Sequence, residues 1–451
     1  MPRALTRSIT LLHATALVAG TIIGASIFVQ PSAIVGAVPS VGAVYLVWIV
    51  SGGLTLFGAL IAAELASAYP TAGGVYVFLK ESFSPGIGFL WGWAMFWTMH
   101  TGIIAAIATV FAQYAAYFIP VGDVGLKLLA VGAIATLSGV NYLGVRQGSA
   151  VQTSFTIAKI TAIIAIIAVA FILGPRESLT TGVAAPIDAT RVASGGGMSH
   201  AFALALVASL FAFGGWHIVT YTAEETQEPE RTIPRALLIG VILVTACYVA
   251  LNAAYFHVLP STRIATSTRV AADAADAVLG AGGAAFMSAL VAISTFGALN
   301  GIILAGPRVY MSMARDGMLF RWAGEIHRNF RTPHRAIVAQ TIWAAVLVVT
   351  GSYRSLFTRV VYTEWIFFAL MAAGLMRLRS RSEYSPAYRL RGYPLIPVVF
   401  ILSSLYIVIN QVISEPVNSV TGILLVAAGW PIYYFWLRKS PPPRTATADV
   451  D

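Results

Sequence analysis

Twelve runs of mostly apolar residues, parted by short polar or Pro/Gly-rich stretches, constrain this chain more than any other feature. They lie at about 8–36, 41–63, 86–117, 125–143, 150–173, 200–222, 236–259, 283–308, 336–350, 357–376, 394–412 and 418–437. A helix that crosses a bilayer needs roughly 20 such residues. In lipid the backbone must satisfy its own hydrogen bonds, which favours helices as the spanning element. Composition closes the soluble alternative: 58% of the 451 residues are apolar and 10% charged, against about 45–50% and about 25% in soluble domains. A soluble core of this size would need a charged shell that the chain lacks. The sequence predicts an all-α integral membrane protein of twelve transmembrane helices, and excludes a compact soluble enzyme, a nucleic-acid binder and a disordered scaffold. The first run follows Arg3 and Arg7, but at about twice the length of a signal h-region it reads as a retained helix.

The basic residues set the orientation. With an inside N-terminus, inner segments hold 20 of the 28 Lys and Arg, outer segments seven, and Lys159 stands alone within a span. That asymmetry is the positive-inside pattern, and it accounts for the net charge of +10 without a nucleic-acid partner. It predicts both termini in the cytoplasm and a location in the cell inner (plasma) membrane, with the lipid bilayer as surroundings. Residues 1–439 form one transmembrane domain. Residues 440–451, opening with Ser440 and Pro441 to Pro443, are too short and polar to fold and make a disordered cytoplasmic tail. The single cysteine, Cys247, lies in an apolar run, so no disulfide-linked partner subunit and no Cys-based metal site is expected.

Two spans are interrupted. The first holds Gly20-Thr21-Ile22-Ile23-Gly24-Ala25-Ser26 and then Pro31; the sixth holds Phe211-Ala212-Phe213-Gly214-Gly215-Trp216-His217. Glycines at mid-membrane depth weaken a continuous helix, although a single pair also serves close helix packing. Breaks five helices apart point to an inverted repeat of helices 1–5 and 6–10, the arrangement in which broken helices form a transporter's midplane site. Unwinding exposes N–H groups at the start of one half-helix and C=O groups at the end of the other. Such a pair suits the zwitterion of an α-amino acid.

These motifs resemble the amino acid–polyamine–organocation superfamily, and within it the L-type amino acid transporters and their bacterial relatives. The resemblance is carried by Gly24-Ala25-Ser26-Ile27-Phe28, by Ala63-Glu64-Leu65 with Pro70-Thr71-Ala72-Gly73-Gly74-Val75-Tyr76, and by Phe211 to Trp216 continuing into Glu224-Glu225 and Pro229-Glu230-Arg231. Asn300-Gly301, Arg308, Ala314-Arg315-Asp316-Gly317 and Gly392-Tyr393-Pro394 extend it over nearly the whole chain. It implies a LeuT-like fold with helices 1 and 6 broken, and transport of L-amino acids by alternating access without sodium or any cofactor. It also implies that the amides of Gly24, Ala25 and Ser26 hold the substrate carboxylate. The carbonyls of Ile22, Phe211 and Gly214 take the amine, and Phe211 serves as an aromatic lid. Ala25 and Ser26 depart from the family's Ser and Gly at those places, and a side chain at 26 narrows the approach, favouring a small to medium substrate.

Two charged residues sit inside spans. Lys159 lies deep in the fifth, where a lysine costs at least about 2.5–3.5 kcal/mol on insertion. The resemblance places it where sodium-coupled relatives hold a sodium ion, bridging the first and eighth helices, with Ser294 or Thr295 as its eighth-helix partner. Glu364 lies in the tenth span, at the edge of the implied substrate cavity; it either carries a proton, selects cationic substrates, partners Arg359, or lies near the outer interface. His100 and His217 read as helix-packing residues more readily than as proton relays. Glu64, Glu224 and Glu225 read as partners of the basic inner loops, and Trp91, Trp93 and Trp97 as an interfacial belt and packing surface. No phosphate-cradling loop or nucleophile motif is present, so enzymatic chemistry is not expected. A channel would need a continuous polar stripe, and a sensor a soluble domain. The alternative within the same fold is a proton-coupled amino acid carrier or a carrier of cationic amino acids or polyamines.

Overall fold

The computed structural model describes Leu5 and residues 7–24, 26–38, 40–174, 197–267, 269–280, 282–351, 353–414 and 416–437; a few of these, 353–362 among them, are described by backbone alone. Ala25, the side chain of Arg359 and the tail from 440 lie outside the described residues. Every element described is helical, and a single isolated bridge joins Ile9 to Thr226.

Helices α1 (Leu11–Ile22) and α2 (Ser26–Ala37) follow one another with a bend of 42° between them. Then come α3 (Val41–Ala68), the short α4 (Val75–Ser82), α5 (Pro85–Ala115, with a π turn at Met95–Met99), α6 (Asp123–Leu143) and α7 (Val145–Leu173). The second half opens with α8 (Gly197–Ala212), which gives way after a break to a 3-10 helix, Trp216–Glu225. It continues through α9 (Pro229–Val258), the short α10 (Ser261–Thr266) and α11 (Val270–Leu279), and the long α12 (Gly283–Arg315). Last come α13 (His334–Thr350), α14 (Tyr353–Arg379), α15 (Leu395–Ser414) and α16 (Pro416–Ala427).

Local chemistry sets several boundaries. Ser40 caps α3 by accepting from the Ala43 N–H at 3.2 Å, and Ser84 caps α5 with Pro85 at its first position, where the missing N–H is no loss. Gly144, at φ 153°, separates α6 from α7, a backbone conformation that favours glycine.

Each of the twelve apolar runs is mostly helical among the described residues, the first and the sixth with an interruption. Among the described residues eight helices are long and apolar enough to cross a membrane, and nine if α1 and α2 make one bent span. Twelve is reached by adding α13, α14 and Ser419–Phe435, which are shorter or more polar. The helices are not equivalent. Their most apolar windows are 83% buried in α12, 78% in Met198–Glu225 and 72% in α5, but 22% in Ala150–Leu173 and 28% in both α6 and α15. The former make the centre of the bundle. The latter present residues such as Ile172, Leu402 and Ile413 outward, a surface suited to lipid rather than water.

Candidate functional site

Both interruptions expected from the glycines are present, and they meet. The α1 helix stops at Ile22, Ile23 leaves helical geometry with ψ 84°, and α2 starts at Ser26. Across from it α8 stops at Ala212, and Gly215 takes φ 92° before the 3-10 helix begins. A Cβ at Gly215 would also press on Thr21 at 3.3 Å, so geometry and space both favour glycine there. The Thr21 hydroxyl donates to the Leu17 carbonyl one turn back at 2.7 Å and lies 3.2 Å from the Gly215 carbonyl, so the two breaks are in direct proximity.

A narrow cleft lies between the breaks. Thr21, Ile22, Gly24 and Ser26 line it from the first, and Phe211, Gly214, Gly215 and Trp216 from the second. Thr55, Ile103 and Ile302 contribute from α3, α5 and α12, and Glu364, Trp365 and Phe368 from α14. Thus Ile22, Gly24, Ser26, Phe211, Gly214 and Glu364 share one cleft, while Ala25 lies outside the described residues. The backbone of the break is partly occupied by its own partners. The Gly24 N–H donates to the Ile22 carbonyl at 2.7 Å, and the Gly214 N–H to the Phe211 carbonyl at 3.0 Å. Ser26, as the first residue of α2, opens a turn whose N–H groups have no acceptor inside the helix.

Lys159 is 1% exposed, and its ammonium donates to the carbonyls of Gly20 at 2.9 Å and Ile23 at 2.6 Å. These oxygens belong to the last turn of α1, where the helix dipole is negative. The expected bridge to the eighth helix is not formed through either residue named for it. The Thr295 hydroxyl donates within its own helix, to the carbonyls of Val291 and Ala292, and Ser294 Oγ is buried without a hydrogen-bond partner. A carbonyl at the end of a broken helix is a stronger acceptor than a hydroxyl already engaged one turn back.

Tyr248 of α9 escaped sequence reasoning. Its hydroxyl lies 2.9 Å from the carbonyls of both Ile22 and Ala212, the last residues of the two broken helices. Its ring packs between Trp48 and Phe213, with centroids at 5.4 and 5.0 Å. A tyrosine in an apolar span has no sequence signal for such a role beyond the need of a buried O–H for an acceptor.

Glu364 is 7% exposed and forms no ion pair with any described residue. Beside it Phe368 packs against Trp216 and His217, with centroids at 5.0 and 4.9 Å. His100 donates to the Ile302 carbonyl at 2.8 Å, as a packing residue does. Trp91 is not interfacial: it is fully buried and stands edge-on to Phe367 and His217.

One end of the bundle is held by ion pairs. Arg308 and Glu225 pair through two bonds of 3.0 Å, both side chains being fully buried. Glu224 takes Arg315 at 2.8 Å, and Asp316 takes Lys80 at 2.8 Å and the Tyr76 hydroxyl at 2.7 Å. Glu64 accepts from Arg379 at 2.5 and 2.8 Å and from the Leu390 N–H at 2.6 Å. Ahead of α1, the Ser8 and Ile9 N–H groups both reach the Glu225 carbonyl at 2.9 Å. Such bidentate, charge-assisted contacts fix geometry as well as energy.

The family described as Amino acid permease matches residues 9–437. The chain belongs to this family. Among its relatives, b(0,+)-type amino acid transporter 1 of Mus musculus is 32% identical over 437 residues, covering 96% of this chain and 88% of that protein. Serine/threonine exchanger SteT of Bacillus subtilis (strain 168) is 31% identical over 435 residues, 95% of this chain and 97% of its own. The Cystine/glutamate transporter of Homo sapiens is 30% identical over 449 residues, 98% and 87%. This permease is therefore a multi-pass membrane transporter and not an enzyme.

Proposed function

We propose that this permease is a sodium-independent secondary transporter of small to medium L-amino acids, exchanging or importing them by alternating access. The observation that carries the reading is the ammonium of Lys159 on the carbonyls of Gly20 and Ile23. A lysine nitrogen on these carbonyls stands where a bound cation would, so none need be taken from solution. The substrate carboxylate lies against the backbone of Gly24, Ala25 and Ser26. Its amine faces the carbonyls of Ile22, Phe211 and Gly214, with Phe211 as lid. In support, the described members of this set line one cleft between two broken helices, and one relative is named an exchanger. The deciding test is uptake of a panel of labelled amino acids into proteoliposomes, with sodium replaced by choline and with or without internal substrate. Loss of uptake in choline overturns sodium independence; uptake that ignores internal substrate overturns exchange.

The same reading takes twelve spans with an inverted repeat of helices 1–5 and 6–10, one transmembrane domain over 1–439, and both termini in the cytoplasm of the plasma membrane. The protein works without a disulfide-linked subunit, since its one cysteine, Cys247, is buried within α9. Cysteines placed at Ser178 and Ser440 should label from opposite sides; labelling from the same side sinks the topology.

A second reading is favoured by Glu364, a carboxyl in the cleft with no ion-pair partner among the described residues. In it the carrier couples transport to protons, or selects cationic amino acids or polyamines.

A further inference from the structure

The aromatic start of α5 walls a lateral groove that is separate from the cleft. Phe89, Trp93, Phe96 and Trp97 line it together with Met313 of α12. Ala336 and Ala339 of α13 keep the floor low. The lining is almost wholly apolar. Both α5 and α12 are among the helices long and apolar enough to cross a membrane, and the lining comes from the first turns of α5 and α13 and the last turns of α12, so the groove lies at that end of the bundle.

At one end the groove meets the 3-10 turn Arg321–Gly324. Phe320 and Trp322 lie parallel there, with centroids 6.1 Å apart and planes at 10°, and Arg321 is exposed between them in sequence. The segment 315–335 carries five arginines, at 315, 321, 328, 331 and 335, against Asp316 and Glu325. Glu224 takes Arg315, Lys80 takes Asp316, and Glu325 takes Arg335. Arg321, Arg328 and Arg331 have no acidic partner among the described residues. An apolar slot at this end of the bundle thus adjoins a segment with an excess of positive charge.

We propose that this groove binds one anionic phospholipid, its acyl chain against the rings of α5 and its phosphate at Arg321. Hydrocarbon fills the slot, and guanidinium groups are suited to phosphate oxygens. A zwitterionic headgroup brings its own cation to the same arginines and gains less.

Native mass spectrometry of the full-length, delipidated protein, titrated with phosphatidylglycerol or phosphatidylcholine of matched chains, tests this. One phosphatidylglycerol should bind at least roughly fivefold more tightly than phosphatidylcholine, the scale of one basic residue at an anionic headgroup. Arg321→Gln should remove most of that preference, and Arg321→Lys should keep most of it. Ala339→Phe, which fills the floor, should weaken both lipids, with its unfolding temperature reporting that it folds. If that variant does not fold, the two exposed Arg321 variants still decide. Equal binding of the two lipids, a preference untouched by Arg321→Gln, or binding untouched in a folded Ala339→Phe overturns the assignment.

Discussion

The Lys159 ammonium donates to the Ile23 carbonyl at 2.6 Å, one residue past the end of the first half-helix. A second bond to Gly20 at 2.9 Å spans the last turn of that helix. Together they place the lysine nitrogen on the carbonyl side of the break, and α7 is thereby fastened to the segment that lines the cleft. Lys159→Ala removes both charge-assisted bonds, each worth about 1.5–3 kcal/mol. Transport in proteoliposomes should fall by about tenfold or more, with or without sodium. Near-normal transport in the variant means that the lysine is only a packing residue.

Tyr248→Phe tests the tie between the two breaks. It deletes a hydroxyl within reach of Ile22 and Ala212 and leaves the ring against Trp48 and Phe213. The expected loss of stability is about 0.5–1.5 kcal/mol, accompanied by reduced uptake at unchanged expression. An uptake rate equal to wild type shows that the two half-helices do not need this link.

Gly24→Val probes access to the backbone. The nearest atom to a Cβ at 24 is Ala298 Cβ at 3.6 Å, an ordinary contact, so the chain should still fold. Branched carbon at the break would block a carboxylate from the amides there, and uptake should vanish while expression persists. Retained uptake places the substrate elsewhere.

Glu364→Gln separates the two functional readings, because it keeps size and hydrogen bonding but cannot titrate. If the carboxyl couples protons, wild-type uptake should rise at acidic outside pH and the variant should lose that dependence while keeping exchange. If it selects cations, the variant should lose arginine or polyamine transport and keep neutral amino acids. A variant matching wild type in both assays leaves the sodium- and proton-independent exchanger alone.

Arg308 and Glu225 are fully buried as a pair. Breaking such a pair from one side typically costs about 3–5 kcal/mol, because a charge is left without a partner. Arg308→Met should therefore lower the unfolding temperature in detergent by several degrees, and Glu225→Leu added to it should recover part of the loss. Absence of recovery means the two side chains act independently.

The sequence alone determined the solvent of this protein and the position of its helices, because the need to bury backbone polar groups in lipid writes itself as long apolar runs. It also determined both breaks, since glycine and Ser at mid-span are local violations of helix propensity. Lys159 and Glu364 stood out for the same reason, as charges where charge is expensive. What those groups touch was decided by tertiary structure. Lys159 reaches carbonyls over 130 residues away in the chain, and no spacing rule says whether they lie on the first helix or the eighth. Tyr248 and Trp91 look like ordinary apolar-span aromatics until α9 and α5 are packed against the breaks. A side chain's partner depends on which helix faces it and at what rotation, and helices that are apolar on all sides carry little periodic signal to fix that rotation.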